Sequence, residues 1–349
     1  MKEHPELAEE ISAKLMGSDE RVAAFENYAH TSPEEAAAVI VEGIKKKKKR
    51  KWRILIGQDA VNLDQLQRSH PEDFHENLIR RSFMFKFEPG AFYTMPFHFG
   101  PHPLRGSAIY GDVTTIAITY LTDRKLLVQY LPPPFEVGQD PLITVYYGMN
   151  RQIEWLAGGS YNILGVDASV SFKGKVDQLA GNYCLVLWEN LTDPILRGRE
   201  MQGIPKIYAE IPDPTIHNGV WQTCAAYRGH KIVDLAVKDL KPQGSQELKE
   251  FERIVREGNW MGWKYIPKTG EPGAEVSHPT LFPTETNIKE VSIGAGEVKW
   301  HRLTWEQNPT QFHIANALES LPILEYRFAG VIKGSQNLIV PGKPVRPLR

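Results

Sequence analysis

Residues 188–210 read WENLTDPILRGREMQGIPKIYAE, and one lysine in this stretch stands in an unusual position. Lys206 follows Ile204–Pro205 and precedes Ile207–Ala209, a pattern that predicts the start of a strand among apolar neighbours. Burial disfavours the ammonium form, so an amine placed there can act as a nucleophile. From the residues alone, Lys206 is a candidate Schiff-base lysine; the alternative is a strand-edge lysine whose side chain reaches solvent.

Outward from this stretch, the sequence contains alternating and β-branched runs separated by turns with Pro and Gly, a pattern typical of strands. We predict strands within 114–120, 142–147, 166–172, 183–188 and 220–227. Short helical patterns occur at 124–131, 246–257 and 310–320. Residues 267–283, rich in Pro, Gly and polar residues, are predicted to form a long surface loop. The predicted fold class is therefore α+β, mostly antiparallel β, with a closed or strongly curved sheet.

The beginning of the chain has a different pattern. Residues 32–35 form a capping box with proline at the first helical position, and the alanine-rich segment that follows predicts a helix. The basic run Lys45–Lys51 is interpreted as a solvated linker; a localisation signal, a polyanion contact and a membrane-surface patch are the functional alternatives. We divide the chain into a helical arm with a basic linker (1–53), a helical lead-in (54–94) and a β-rich domain (95–349).

Composition excludes several classes of function. The 349 residues contain 41 basic and 42 acidic side chains, so no nucleic-acid partner is expected. The chain has no run of the ~20 apolar residues that cross a bilayer and no apolar leader after Met1, so we expect neither a membrane span nor a signal peptide.

Two cysteines, Cys184 and Cys224, are too few for a disulfide framework and favour a reducing, cytoplasmic location. Sequence patterns for nucleotide binding, zinc proteolysis and serine hydrolysis are missing.

Residues 198–206 carry Gly-Arg-Glu, four further residues and Pro-Lys. This pattern resembles the signature of the acetoacetate decarboxylase family, whose lysine forms a Schiff base with a β-keto acid. Weaker similarities follow the family's order at 119–123, 131–137, 154–162 and 317–325, so that the resemblance extends over about 95–340. It implies an acetoacetate decarboxylase-like, closed, cone-shaped antiparallel β-barrel with added helices and a mostly apolar pocket. It also implies a homo-oligomer and chemistry that needs no metal or organic cofactor.

The resemblance assigns the Schiff-base role to Lys206. Around this lysine it suggests candidates for the lining of the substrate pocket: Arg199, Glu200, Ile204, Ile207, Tyr161 and Ile163. Asp167 and Tyr161 are lesser candidates for a general acid.

Three positions depart from the family pattern and lose charge. The second lysine of well-known decarboxylases is replaced by Ile207, and the acidic residue two places after the tyrosine is replaced by Ile163. The arginine near the first barrel strand falls on Val113, and Arg105 can replace it only if the loop shifts. These losses favour a substrate that is larger and less polar than acetoacetate.

Three functions fit these observations. The first is a Schiff-base lyase that decarboxylates a small-molecule 3-oxo acid through an iminium on Lys206. The second keeps the Schiff base but performs aldol condensation with dehydration, or a hydrolytic step, on another carbonyl compound. The third is a barrel without enzymatic activity whose apolar cavity carries a hydrophobic ligand.

Overall fold

The computed structural model describes residues 87–101 and 107–349. Residues Phe92–Arg349 form one compact unit. The predicted helical arm, the basic run and Arg105 lie outside the described residues, as does the lead-in up to residue 86. The end of the lead-in, residues 87–94, contains a turn and no helix.

The described unit is built mainly of strands. Their bounds are β1 Ile109–Leu121, β2 Phe135–Val137, β3 Leu142–Ile153, β4 Gly159–Lys173, β5 Gln178–Glu189, β6 Lys206–Tyr208, β7 Thr215–His217, β8 Val220–Tyr227, β9 His230–Pro242, β10 Trp260–Pro267, β11 Ala274–Leu281, β12 Glu285–Trp300, β13 Glu325–Asn337 and β14 Arg346–Pro347. The α-helices are α1 Arg124–Leu127, α2 Thr192–Arg197, α3 Ser245–Glu257 and α4 Phe312–Glu319. A π-helical turn, Gly198–Gln202, directly follows α2.

The strands form one sheet that is antiparallel along most of its length. Its order is β14-β11-β10-β5-β4-β3-β1-β13-β12-β9-β8-β7, and β6 pairs with β5 in parallel. Just after β6, Glu210 forms an antiparallel bridge with Ala226 of β8. The ring from β5 through β4, β3, β1, β13, β12, β9 and β8 therefore returns to β6, and the sheet closes on itself.

The two faces of this sheet pack against different partners. Trp188 on β5 belongs to the main hydrophobic core, and its register partner on β6, Ile207, packs against that core. Leu187 belongs to a second cluster with Cys184, Ile204 and Phe282. Since neighbouring residues on a strand point to opposite faces, Lys206, the register partner of Leu187, lies on the face opposite Ile207.

The structure confirms the predicted fold class and strand runs, and α1, α3 and α4 occupy most of the helical patterns at 124–131, 246–257 and 310–320. The loop predicted at 267–283 is wrong, because β11 occupies Ala274–Leu281 and pairs with β10. The alternation of apolar and polar residues over 274–277 is the sequence signal that the Pro and Gly content concealed. In the described part of the chain, no helix is long and apolar enough to span a membrane. Assembly into homo-oligomers and a cytoplasmic location stay predictions.

Candidate active site

Lys206 is the first residue of β6, as the sequence predicts, and its amine is buried. Only 6% of the residue is exposed to solvent. Nζ donates a hydrogen bond to the carbonyl oxygen of Pro194, 3.1 Å away in the first turn of α2. Since an ammonium carries three N–H groups, this contact leaves donors for other partners.

Glu189 is the second partner of the Lys206 amine. It is the last residue of β5, is 1% exposed, and places Oε1 2.8 Å from Nζ. The parallel pairing sets Leu187 opposite Lys206 and Glu189 opposite Tyr208, so both charged side chains lie on one face of the sheet. Such a buried pair has to compensate the loss of hydration of both ions.

The Glu189 carboxylate is only partly satisfied. Burial raises its pKa above the ordinary value for glutamate, and the neighbouring Lys206 opposes this shift. Its second oxygen, Oε2, is buried and has no hydrogen-bond partner among the described residues. A buried acceptor without a donor is costly, so this atom needs an explanation.

The glycine of the signature makes room for the lysine. A Cβ on Gly198 would lie 2.4 Å from Cε and 2.9 Å from Nζ of Lys206. Gly203 follows the π-helical turn Gly198–Gln202, and its φ of 75° is in the left-handed region that favours glycine. The chain then folds back towards Gly198, because the backbone N–H of Ile204 donates a hydrogen bond to the Gly198 carbonyl oxygen at 3.1 Å. This compact loop holds Lys206 beside α2.

Replacing Gly198 by alanine is expected to lower kcat/KM about 100-fold for any reaction that uses the Lys206 amine, while the protein still folds, because the added methyl group displaces this amine by about 1 Å or more. Steady-state kinetics and the unfolding midpoint of the purified variant measure both effects. Gly244→Ala is the matched control, since its methyl group meets only the end of the Glu247 side chain. Equal values of kcat/KM for the two variants would contradict the conclusion that Gly198 makes room for the Lys206 side chain.

Lys206 also lines a cavity of mixed character. Aromatic and aliphatic side chains from several parts of the chain line it together with the polar groups of Gln202 and Lys206, and Arg197 is a further cation. The lining residues are Ala108, Tyr110, Trp155, Pro194, Arg197, Gly198, Gln202, Lys206, Leu338 and Ile339. The Lys206 side chain therefore shares one space with apolar surface and one guanidinium.

A network of aromatic side chains organises one wall of this cavity. The hydroxyl groups of Tyr110 and Tyr161 lie 2.8 Å apart, and Trp155 Nε1 donates to Tyr110 Oη at 3.2 Å. Burial raises the pKa of Tyr110, while Lys206 opposes the shift. The Arg197 guanidinium lies over the Trp155 ring, 5.3 Å from its centroid. Within the described residues no carboxylate pairs with this guanidinium, so it can bind an anion in the cavity.

The predicted residues of the signature surround Lys206 without lining the cavity. Arg199 Nη1 donates to the backbone oxygen of Lys206 at 2.8 Å, which supports the start of β6. Glu200 is half-buried on the π-helical turn. Ile204 packs in the second cluster, and Ile207 packs against the main core on the other face of the sheet.

The predicted residues of β4 lie behind the cavity wall. Tyr161 contacts the site through Tyr110. Ile163, where the family resemblance leads one to expect an acid, is the register partner of Glu189 on the neighbouring strand. A carboxylate is thus present beside this position, but it comes from β5. Val113 packs with Tyr110 and Tyr161 in a small apolar cluster.

Asp167, the other predicted general acid, does not line the cavity. It is a register partner of Cys184 and lies within hydrogen-bonding reach of the side chains of Cys184, Tyr146 and Trp260. Burial raises the pKa of Asp167 to about 7. Burial also raises the pKa of the Cys184 thiol, which disfavours a reactive thiolate.

Four residues of the site were not predicted from the sequence: Glu189, Arg197, Tyr110 and Trp155. An acid at the end of the apolar run 183–188 is the signal that could have found Glu189, since buried charges are rare unless they are paired. Tyr110 and Trp155 come from β1 and from a 3₁₀ turn at Glu154–Leu156, far from Lys206 in sequence. In the ranges that the structure describes, no three His, Cys, Asp or Glu side chains are grouped to hold a metal ion.

Comparison with known proteins extends these observations. The family model described as acetoacetate decarboxylase matches residues 94–332. An acetoacetate decarboxylase of Burkholderia ambifaria is 30% identical over 245 residues, which are 60% of this chain and 95% of the relative. One from Paraburkholderia xenovorans is 37% identical over 214 residues, which are 52% of this chain and 82% of the relative.

Solved structures share the fold at lower identity. The crystal structure of acetoacetate decarboxylase from Legionella pneumophila has a TM-score of 0.58 and 18% identity, covering 74% of this chain and 93% of that one. The enduracididine biosynthesis enzyme MppR, complexed with the condensation product of pyruvate and imidazole 4-carboxaldehyde, has a TM-score of 0.56 and 14% identity. That match covers 74% of this chain and 97% of the other.

Proposed function

Because the chain belongs to the acetoacetate decarboxylase family, we propose that it is a Schiff-base lyase that decarboxylates a 3-oxo acid through an iminium on Lys206. The observation that carries the proposal is a buried amine that lines a cavity at the position of the signature lysine. In water an exposed lysine is a poor nucleophile, whereas a desolvated amine reacts with a carbonyl carbon.

The iminium supplies the chemistry of carbon dioxide loss. Lys206 Nζ attacks the ketone carbon, and loss of water gives a cationic C=N bond. When the bond between the carboxylate and its neighbouring carbon breaks, its electron pair moves into this cation and forms an enamine. Protonation of the enamine by solvent and hydrolysis of the resulting iminium release the ketone. The reaction consumes one proton for each carbon dioxide formed.

Arg197 is the group that we assign to the substrate carboxylate. It lines the same cavity as Lys206, lies over the Trp155 ring and forms no ion pair with a carboxylate of the described residues. A guanidinium binds a carboxylate in a bidentate, charge-assisted manner. The aliphatic side chains of Ala108, Leu338 and Ile339 offer apolar contact to the rest of the substrate. This arrangement supports a substrate with a carboxylate and an apolar part, and the charges lost at Val113, Ile163 and Ile207 favour one that is larger and less polar than acetoacetate.

Arg197→Met is expected to raise KM for 3-oxo acids about 10- to 100-fold, because a charge-assisted contact is lost. Binding of a neutral ketone of the same chain length is expected to stay within about twofold, since it carries no carboxylate for Arg197. Arg197→Lys keeps the charge without the planar fork and is expected to give an intermediate KM. Equal losses for the acid and the ketone would contradict the assigned role.

Carbon dioxide release from acetoacetate, 3-oxohexanoate and 3-oxooctanoate tests the function itself. The proposal predicts release with each acid and a kcat/KM that increases with chain length, because longer chains bury more apolar surface. Condensation of a ketone with an aldehyde in the absence of carbon dioxide release would support the aldolase alternative instead. Binding of these compounds with no reaction of either kind would support the ligand carrier.

A further inference from the structure

Two groups contact Lys206 Nζ, and they differ in whether they can accept a proton from it. Two N–H groups of the ammonium are used by Pro194 O at 3.1 Å and Glu189 Oε1 at 2.8 Å. The carbonyl oxygen cannot take up a proton under ordinary conditions, but the carboxylate can. Among the described residues, Glu189 is the titratable side chain in contact with this nitrogen.

We propose that Glu189 is the general base and general acid of Schiff-base formation at Lys206. This inference rests on the proposed function and adds the residue that moves the protons. The Glu189 carboxylate takes a proton from the Lys206 ammonium, which makes the nucleophilic amine. It then returns protons to the substrate oxygen, which leaves as water.

Glu189 alone can carry both proton transfers that formation of the iminium requires. As Nζ forms a bond with the ketone carbon, the electron pair of the C=O bond moves to oxygen, which receives the proton held by Glu189. The nitrogen of this carbinolamine then gives a second proton to Glu189, which passes it to the hydroxyl group. Water leaves while the nitrogen lone pair forms the C=N bond. One ammonium and one ketone thus give one iminium and one water, and Glu189 ends as a carboxylate beside the cation.

The unpartnered oxygen of Glu189 fits this role. Oε1 is held by Lys206, whereas Oε2 is buried without a donor among the described residues. A second oxygen that is already free of hydrogen bonds can receive or deliver a proton without first breaking a contact. Burial raises the pKa of Glu189, so the carboxylic acid that the cycle requires is more accessible than for a glutamate in water.

Asp167 provides the contrast. It is also a buried carboxyl group with an unpartnered oxygen and, like Glu189, it is not part of the cavity wall, but its neighbours are Cys184, Tyr146 and Trp260 and not Lys206. It is therefore a control for the effect of replacing a buried carboxyl group on this face of the sheet.

Exchange of ¹⁸O from labelled water into 2-pentanone measures Schiff-base formation and hydrolysis without decarboxylation. We expect Glu189→Gln to slow this exchange about 100-fold, Glu189→Asp to give an intermediate rate, and Asp167→Asn to leave it within about threefold of the wild type. In Glu189→Ala, added formate is expected to restore exchange in proportion to its concentration, a response that a merely structural role would not produce.

The outcomes separate the two proposals. Exchange by Glu189→Gln at the wild-type rate would overturn the role of Glu189 and leave the Schiff base at Lys206 intact. A loss in Glu189→Gln and Glu189→Ala that formate does not restore would also overturn it. If the wild type itself exchanges no label and releases no carbon dioxide from any of the three acids, the proposed function fails, and this inference fails with it.

Discussion

Lys206→Met is expected to lower kcat/KM for carbon dioxide release from 3-oxo acids by at least about 10³-fold. The variant keeps a buried side chain of similar length but has no amine to form the iminium. Loss of a covalent nucleophile removes a whole reaction path, so the effect exceeds that of any binding residue. Carbon dioxide release by the purified variant measures it. Retention of even a tenth of the wild-type activity would contradict a Schiff base at this lysine.

Lys206→Met is also expected to lower the free energy of unfolding, so a control must separate lost chemistry from lost stability. Without Lys206, Glu189 is a buried acid with no cation beside it, and breaking a buried pair costs about 3–5 kcal/mol. This loss is expected to grow as pH rises, because burial raises the pKa of Glu189 and the protonated acid is neutral at low pH. Lys206→Met combined with Glu189→Leu replaces both charges by apolar groups and is expected to recover stability while activity stays lost. Recovery of activity in this double variant would contradict the account.

Asp167→Asn is expected to remove about 4 kcal/mol of pH dependence from the free energy of unfolding. The pKa of Asp167 is about 7 in the folded protein and 3.8 in the ordinary reference state. Between these values the unfolded chain has released the proton that the folded protein retains, so stability falls as pH rises from about 4 to about 7. One pKa unit corresponds to about 1.4 kcal/mol, and the asparagine variant has no such proton to lose.

Chemical denaturation of the wild type and the variant at several pH values from 4 to 8 measures this difference. Asp213→Asn is the matched control, because hydrogen bonds from Asn162 and Arg151 hold the pKa of Asp213 below its usual range. Its contribution has the opposite sign and is lost only as pH falls below the ordinary value of 3.8, so Asp213→Asn is expected to leave the slope between pH 4 and 8 unchanged. Parallel curves for wild type and Asp167→Asn would show that Asp167 ionises normally in the folded protein.

Much of the barrel could be predicted from local patterns. Runs such as 142–147 and 166–172 lie in long, buried strands, where β-branched residues and tertiary packing favour the same structure. The error at 267–283 arose because four prolines and two glycines suggest a loop, although pairing of β11 with β10 outweighs this local tendency. Long-range pairing of this kind cannot be derived from a single segment.

The site could be predicted only in part for a similar reason. Lys206 stands within one continuous signature, so its neighbours in sequence identify it. Its partner Glu189 lies 17 positions earlier, and the two meet only through the parallel register of β5 and β6. Tyr110 and Arg197 reach the cavity from β1 and the end of α2. Sequence spacing contains no information on these contacts until the closure of the sheet is known.

Reductive trapping tests the central claim most directly. The protein is mixed with 3-oxohexanoate, reduced with borohydride, digested, and analysed by mass spectrometry of its peptides. The account predicts one reduced adduct per chain, attached to Lys206, and none in Lys206→Met. An adduct on a different lysine, or no adduct with this acid or with 2-pentanone, would contradict it.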